Sequence, residues 1–338
     1  MKSKPIISVV IPVFNGAKYL RATLEAIINQ RFCDYEVVCV NDCSTDNSES
    51  IIRDYMAKDN RFKLFATNKN LGIVPKVLNF ALPFMRGDYF VYSSQDDIFS
   101  EDWLGCMYAK ALESGADAVI PDLVFYHENN PNKNIILSGV LGDKNRILTN
   151  REALTYSLDW TIPGNALWNI KLVRDIGFYD FGMNADEYTV RVFYFNCNKV
   201  VFSGGIFYYR QDNPDAITKK LSIKSFDLPY TAFRLFLLLR EKNFPLKLQI
   251  NAFLSSVSSS IYYNSFTLFS TTLRPGKEKI KYCFDQFAVI NIFELIDHDS
   301  NVSIKMRLLG LASSNYLMFQ VFSYFSAIRR IILNFRKK

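Results

Sequence analysis

The sequence is poor in the residues that build metal clusters and covalent frameworks. It has two histidines, His127 and His298, and its six cysteines (Cys33, Cys39, Cys43, Cys106, Cys197 and Cys283) fall without metal-ligand spacing. A zinc site or a disulfide framework is therefore not expected. No separate signal segment with a small-residue cleavage site precedes the strand-like opening MKSKPIISVVIPVFNG, which leads us to expect a cytosolic, reducing setting. Glycine is scarce where one common nucleotide site needs it. The turn after the first apolar run, PVFNGAKYL, holds only Gly16, too little for backbone to wrap a dinucleotide pyrophosphate. An anion bound there needs another device.

What the chain does have is a large apolar fraction: 49% of 338 residues, enough for two domains or for one domain with an extension. Aromatic residues make up 15%, and such rings serve cores, carbohydrate platforms and membrane interfaces alike. The net charge is +7, and the basic residues gather late, in KKLSIK (219–224), RPGKEKIK (274–281) and RRIILNFRKK (329–338). Interleaved with apolar helical stretches, they form a membrane-surface pattern before a nucleic-acid one. No nucleic-acid partner is expected.

Strand and helix signals alternate through the first hundred residues. IISVVIPVF (6–14), YEVVCVN (35–41), FKLFAT (62–67) and DYFVYS (88–93) are rich in β-branched and aromatic residues and predict strands. Between them, GAKYLRATLEAIINQ, DCSTDNSESIIRDYMAK and LGIVPKVLNFALPFM carry helical spacing or helix-start residues. Successive β-α units predict an α/β fold, Rossmann-like, with a mostly parallel central sheet and helices on both faces.

In such sheets ligands sit at the carboxyl ends of the strands. VYSSQDDIF (91–99) places the adjacent carboxylates Asp96 and Asp97 at that edge, and Asn15 and Asp42 end earlier strands there. By itself an Asp-Asp pair is a solvated turn. Three strand ends supplying polar side chains to one crevice point instead to a site that holds a cation.

These segments resemble a known family. ISVVIPVFN, VNDCSTDNS, NKNLGIVPKVLN and GDYFVYSSQDD, in that order, are similar to the nucleotide-sugar half of a family 2 glycosyltransferase with the GT-A fold. WTIPGNALWNIKLVRDIGFYDFGMNADEYTVRV and the closing FYYRQDN resemble its acceptor half, so the likeness covers roughly residues 5–215. It implies that Pro12, Phe14 and Asn15 line a nucleoside pocket and that Asp42 accepts a hydrogen bond from the base. Chemically, a carboxylate suits an imide N–H such as that of uracil, though Asp42 equally suits a turn or helix cap. Lys76 matches a basic residue near the diphosphate.

The resemblance also makes Asp97 the metal ligand, with Asp96 facing the donor sugar or sharing the ion. Hard oxygen ligands and a phosphate substrate imply Mg²⁺ or Mn²⁺. Ser94 stands where many members have a further acid. In NADEYTVRV register puts Glu187 at the catalytic-base position, with Asp186 as the second choice, and both residues also suit the start of a helix. A carboxylate there would take the acceptor hydroxyl proton during an in-line, inverting displacement. Around Gly164 and Asn165 on the acceptor side, Trp160 and Trp168 either stack on a sugar or belong to the core.

Beyond about residue 220 the pattern turns helical. Two long uncharged stretches, 248–273 and 308–328, have the length of membrane spans, but their Ser, Thr, Asn and Gln favour packing on the domain or lying at a bilayer surface. The basic ending is either a membrane anchor or a solubilising terminus.

We therefore expect a catalytic domain over 1–220 (nucleotide-sugar half about 1–100, acceptor half about 101–220) and a helical region over 221–338. The expected function is transfer from a UDP-hexose or UDP-N-acetylhexosamine to a glycan acceptor, lipid-linked, in bacterial surface polysaccharide synthesis such as O-antigen or capsule. The expected place is the inner face of the cytoplasmic membrane, at its anionic surface. A sugar-phosphate nucleotidyltransferase, or an inactive glycan-binding scaffold protein, is the alternative.

Overall fold

The computed structural model describes residues 4–297 and 303–335. His298 and the last three residues of the basic ending lie outside them. The chain divides into two compact units, one of Met1–Asp180 with Thr189–Pro214, the other of Phe181–Tyr188 with Asp215–Lys338.

The first unit opens with the predicted alternation. Strands β1 (Ile7–Val13), β2 (Tyr35–Asn41), β3 (Phe62–Ala66) and β4 (Tyr89–Tyr92) are interleaved with helices α1 (Ala17–Ile28), α2 (Ser48–Lys58) and α3 (Val74–Ala81). Then follow β5 (Ile98–Phe99), α4 (Trp103–Ser114), β6 (Ala118–Tyr126), β7 (Ile135–Leu137), α5 (Asn150–Ser157), β8 (Leu167–Asn169), α6 (Ile170–Ile176), α7 (Ala185–Asn196), whose first turn is counted with the second unit, and β9 (Val200–Arg210). The strands lie in the order β3-β2-β1-β4-β8-β6-β9-β5, with β7 beside β6.

Strands β1 to β4 are parallel, β8 runs against both β4 and β6, and β9 is parallel to β6. Strands β6 and β9 thus point the same way as β1 to β4, and the sheet is mostly parallel. Strand β1 is buried on both faces: Val9 and Ile11 pack with Leu24 and Ile27 of α1, while Val10 packs with Leu78 of α3 and with Phe90. That alternation requires a helical layer on each side of the sheet. It leaves the carboxyl ends of β1, β2 and β4 along one edge.

The second unit is helical, with α8 (Leu228–Glu241), α9 (Leu246–Thr267), α10 (Gly276–Ala288), α11 (Ile292–Asp297), α12 (Ile304–Ser314) and α13 (Tyr316–Phe335). Helix α9 is its axis: Phe253, Val257 and Ile261 are buried with Phe236, Phe287 and Phe319. Five polar residues of the stretch 248–273, Ser256, Ser260, Asn264, Ser265 and Thr267, are buried there too. Ser256 donates to the Phe253 carbonyl at 2.7 Å, and Asn264 Nδ2 donates to Ser323 Oγ at 3.0 Å. The stretch 308–328 is not one helix, because Asn315 is extended (φ −129°) between α12 and α13, and its Oδ1 accepts from the Met318 amide at 3.1 Å. Among the described residues no helix is long and apolar enough to cross a membrane.

Candidate functional site

Three strand ends build the site in the first unit. After β1 the chain turns through Phe14, which is exposed, and Asn15, which adopts a left-handed φ of 49°. An asparagine tolerates that region. The Asn15 amide donates to Ser44 Oγ at 3.0 Å, and Asn15 Oδ1 accepts from the Thr45 amide at 2.7 Å. Pro12, near the end of β1, is half-buried. Asp46 binds the start of α1 to that of α2: its carboxylate accepts from the Ala17 amide at 3.0 Å and from the Ser48 amide at 3.0 Å. Asn15 therefore ties the loop after β1 to the one after β2.

Gln95, which sequence reasoning passed over, ties β1 to β4. The Phe14 amide donates to Gln95 Oε1 at 2.8 Å, and Gln95 Nε2 donates to the Phe14 carbonyl at 3.0 Å. Gly16 makes room for it, since a Cβ there would lie 2.3 Å from Gln95 Oε1. The single glycine of this turn makes room for a side-chain amide.

Asp42, at the end of β2, is buried. Its Oδ1 accepts from Thr67 Oγ1 at 2.8 Å, and the Leu71 amide donates to Oδ1 at 2.8 Å and to Oδ2 at 3.0 Å. Its carboxylate thus holds the connection from β3 to α3, with acceptor capacity left on Oδ2. Lys76 lies exposed in the first turn of α3.

The aspartate pair divides its labour by burial. Asp97 is 1% exposed. Its Oδ1 accepts from the Arg210 amide at 3.0 Å and its Oδ2 from the Ser94 amide at 3.3 Å. Burial, followed by the charge of Asp96, pushes the Asp97 carboxyl well above the usual carboxylate range. Asp96 is half-buried, and its Oδ2 accepts from Asn213 Nδ2 at 2.6 Å. Asp97, the expected metal ligand, thus has its carboxyl bonded to backbone amides, and Asp96 has the less buried carboxyl of the pair.

Arg210 and Asn213, both in the FYYRQDN segment, hold this loop from the end of β9. The Arg210 side chain is 2% exposed; its Nε donates to the Asp96 carbonyl at 2.8 Å, and its Nη1 meets Glu128 at 2.7 Å and Asp212 at 3.3 Å. The ring of Tyr19 lies 4.8 Å from the guanidinium. The motif signalled these residues, but only the pairing of β5 with β9 brings them to the aspartates.

Farther along the first unit, Gly164 brings its loop close to α7, where a Cβ would lie 2.9 Å from Val190; Asn165 beside it is half-buried. Trp168 belongs to the core, at 1% exposure. Trp160 is half-buried, its ring 6.2 Å from that of Phe125, and it takes a left-handed φ of 62°. Bulky side chains rarely adopt that conformation.

Asp186 and Glu187 are half-buried in the first turn of α7, in the segment counted with the second unit. Asp227, which the sequence did not single out, anchors that segment. Its Oδ2 accepts from the Met183 amide at 3.3 Å, its Oδ1 pairs with Lys279 at 2.5 Å, and Thr231 Oγ1 donates to the Met183 carbonyl at 3.0 Å.

Among the described residues no group of three His, Cys, Asp or Glu side chains could hold a metal ion alone. One accessible carboxylate does suit a hard divalent cation that shares its other oxygens with a bound diphosphate and water.

Several known proteins are similar to this chain. The family model described as "Glycosyl transferase family 2" matches residues 8–177. Glycosyltransferase GlyG of Streptococcus pneumoniae serotype 4 is 29% identical over 214 residues, covering 61% of this chain and 71% of that protein. The crystal structure of S. aureus TarS 1–349 in complex with UDP-GlcNAc has a TM-score of 0.64 at 17% identity, covering 98% of this chain and 92% of that one. The mannosyltransferase PcManGT from Pyrobaculum calidifontis, in complex with GDP-Man and Mn²⁺, has a TM-score of 0.52 at 14% identity, covering 97% of this chain and 88% of that one. At those identities the likeness establishes the fold, GT-A, with a helical region following it.

Proposed function

The chain belongs to glycosyl transferase family 2, and on that premise we propose that it moves a sugar from a UDP-hexose or UDP-N-acetylhexosamine to a hydroxyl of a glycan acceptor, inverting the anomeric centre. The observation that carries this reading is the crevice edge itself. Asp96 offers a half-buried carboxylate there while Asp97, Arg210 and Asn213 hold its loop. We give Asp96 rather than Asp97 the task of holding Mg²⁺ or Mn²⁺ together with the donor diphosphate. When bound, the cation would offset the charge that grows on the departing diphosphate.

The chain's own groups supply the rest. Pro12 and Phe14 form one wall for the nucleoside, and the free capacity of Asp42 Oδ2 suits an imide N–H, which favours uracil. Lys76 adds a positive charge for the phosphates. Glu187 takes the proton from the acceptor hydroxyl, with Asp186 the second assignment; both stand in the first turn of α7. Trp160, strained and half-buried, offers a ring face to the acceptor sugar, with Gly164 and Asn165 beside it.

TarS was solved with UDP-GlcNAc and PcManGT with Mn²⁺, which supports a nucleotide-sugar donor and a divalent cation here. GlyG and TarS come from bacteria, which supports a bacterial surface glycan as the product. A lipid-linked acceptor at the inner face of the membrane would give the basic C-terminal sequence a purpose.

The test is a thermal-shift screen of nucleotide sugars with and without Mn²⁺ or Mg²⁺, followed by donor hydrolysis on the hits. A ligand that prefers the folded state raises its melting temperature. UDP-sugars should do so with the cation and lose the effect in Asp96→Asn. Formation of a nucleotide sugar from a nucleoside triphosphate and a sugar phosphate would instead establish a nucleotidyltransferase. A response to glycans alone would mark a binding protein.

A further inference from the structure

Helix α13 turns an apolar face to solvent. Leu317, Val321, Tyr324, Phe325 and Ile332 are all exposed, Leu317 by 72% and Phe325 by 62%. At 100° per residue they fall within an arc of about 100°. The side packed within the unit is another one, carrying Phe319, Ser323 and Ala327. The exposed ring of Phe269, 6.3 Å from that of Tyr324, widens the patch. A contiguous apolar surface of this kind marks a place of contact.

Charge says what it contacts. From Ser303 to the end the sequence has seven Lys or Arg residues and no Asp or Glu. Arg330 is turned inward, donating to the Ser265 carbonyl at 3.1 Å with its guanidinium 3.7 Å from the Phe266 ring, whereas Arg329 is exposed at the margin of the apolar arc. A second copy of the chain would cover the apolar face but would set this basic sequence against itself. An anionic lipid surface accepts both the apolar face and the charge.

We propose that α13 lies along the interface of an anionic bilayer, with Leu317, Val321, Tyr324, Phe325 and Ile332 among the acyl chains and Arg329 among the headgroups. This deepens the membrane location proposed above, and it does not depend on the transfer reaction. The helix lies on the membrane and does not span it, because its other face is occupied by its own unit.

The experiment is co-sedimentation of the full chain with phosphatidylcholine vesicles, with and without phosphatidylglycerol. Wild type should bind only the anionic vesicles. Val321→Ser with Phe325→Ser should lower partitioning roughly tenfold or more; Leu317→Gln, at the most exposed position of the face, repeats the test should the double variant misfold. Arg329→Glu should weaken binding and reduce its salt dependence, exposed charges being screened within about 10 Å at 0.1 M. Thermal shifts with UDP-sugars should stay as in wild type, which separates a failure here from a failure of the catalytic reading. Equal binding to neutral vesicles, or variants that partition like wild type, would overturn the proposal. So would a wild-type dimer by light scattering that the double variant turns into a monomer, since the face would then belong to a second copy.

Discussion

The backbone amide of Arg210 donates to Asp97 Oδ1 at 3.0 Å, across 113 residues of sequence. With the Ser94 amide on the other oxygen, this bond closes the Ser94–Asp97 loop around a buried carboxyl. Asp97 then acts on its neighbour. The Asp97 carboxyl is fastened inward, while Asp96 stays half-buried and Asn213 steadies one of its oxygens. Of two adjacent aspartates, one builds the loop and the other is presented by it.

The two should separate on substitution. Asp96→Asn should keep the wild-type melting temperature and lose cation-dependent donor binding. Asp97→Asn puts an amide N–H₂ opposite a backbone N–H, so it should cost about 1–3 kcal/mol of stability and lower the melting temperature whether or not donor is present. Calorimetry of both variants with and without UDP-sugar and Mn²⁺ decides. Should Asp97→Asn melt like wild type and Asp96→Asn still bind donor through the cation, the assignment reverses.

Glu187→Gln keeps shape and hydrogen-bonding reach but takes no proton. Transfer should fall by roughly 10² to 10⁴ while donor binding persists. Asp186→Asn should retain most of the rate. Single-turnover assays with a glycan acceptor make the comparison, and the opposite pattern would move the base to Asp186.

Gly16→Ala drives a methyl group into Gln95 Oε1 and should break the reciprocal bonds between Phe14 and Gln95. Overpacking of this kind costs about 1–3 kcal/mol. In a Gln95→Ala background the same change should cost much less, because the obstructing oxygen is gone. A double-mutant cycle by urea denaturation measures the coupling; additive costs would show that the contact does not limit position 16.

Glu36 is a buried charge held in the sheet, bonded by Lys63 Nζ at 2.7 Å, Arg86 Nε at 2.9 Å and Ser8 Oγ at 2.8 Å. Burial pushes its carboxyl up, but the bonds from Lys63, Arg86 and Ser8 outweigh it and leave the pKa below 4.5. A depressed pKa stabilises the fold above the unfolded value and ceases to do so as pH falls through the folded one. Glu36→Gln should therefore lose about 3 kcal/mol at neutral pH, with the gap to wild type closing below about pH 4.5. Urea melts of both proteins across that range measure it. A gap independent of pH would mean the loss is one of shape rather than charge.

Much of the first unit was legible in the sequence, for a local reason. Strands β1 to β4 and helices α1 to α3 declare themselves in short-range periodicity, and parallel β-α units place Asn15, Asp42 and the Asp-Asp pair at one edge before any contact is known. The motifs add the family. Adjacent aspartates look alike in sequence, and what distinguishes Asp96 from Asp97 is the Arg210 amide, delivered by the pairing of β5 with β9. The polar residues of α9 left open in sequence whether the helix packs on the domain or lies at a bilayer surface, yet Ser256, Ser260, Asn264 and Ser265 are buried because other helices cover them. A long stretch without charge at 308–328 hid the break at Asn315. Local pattern determined the elements and the edge they converge on; burial, which depends on what arrives from distant parts of the chain, decided which side chains at that edge are enclosed and which stay accessible.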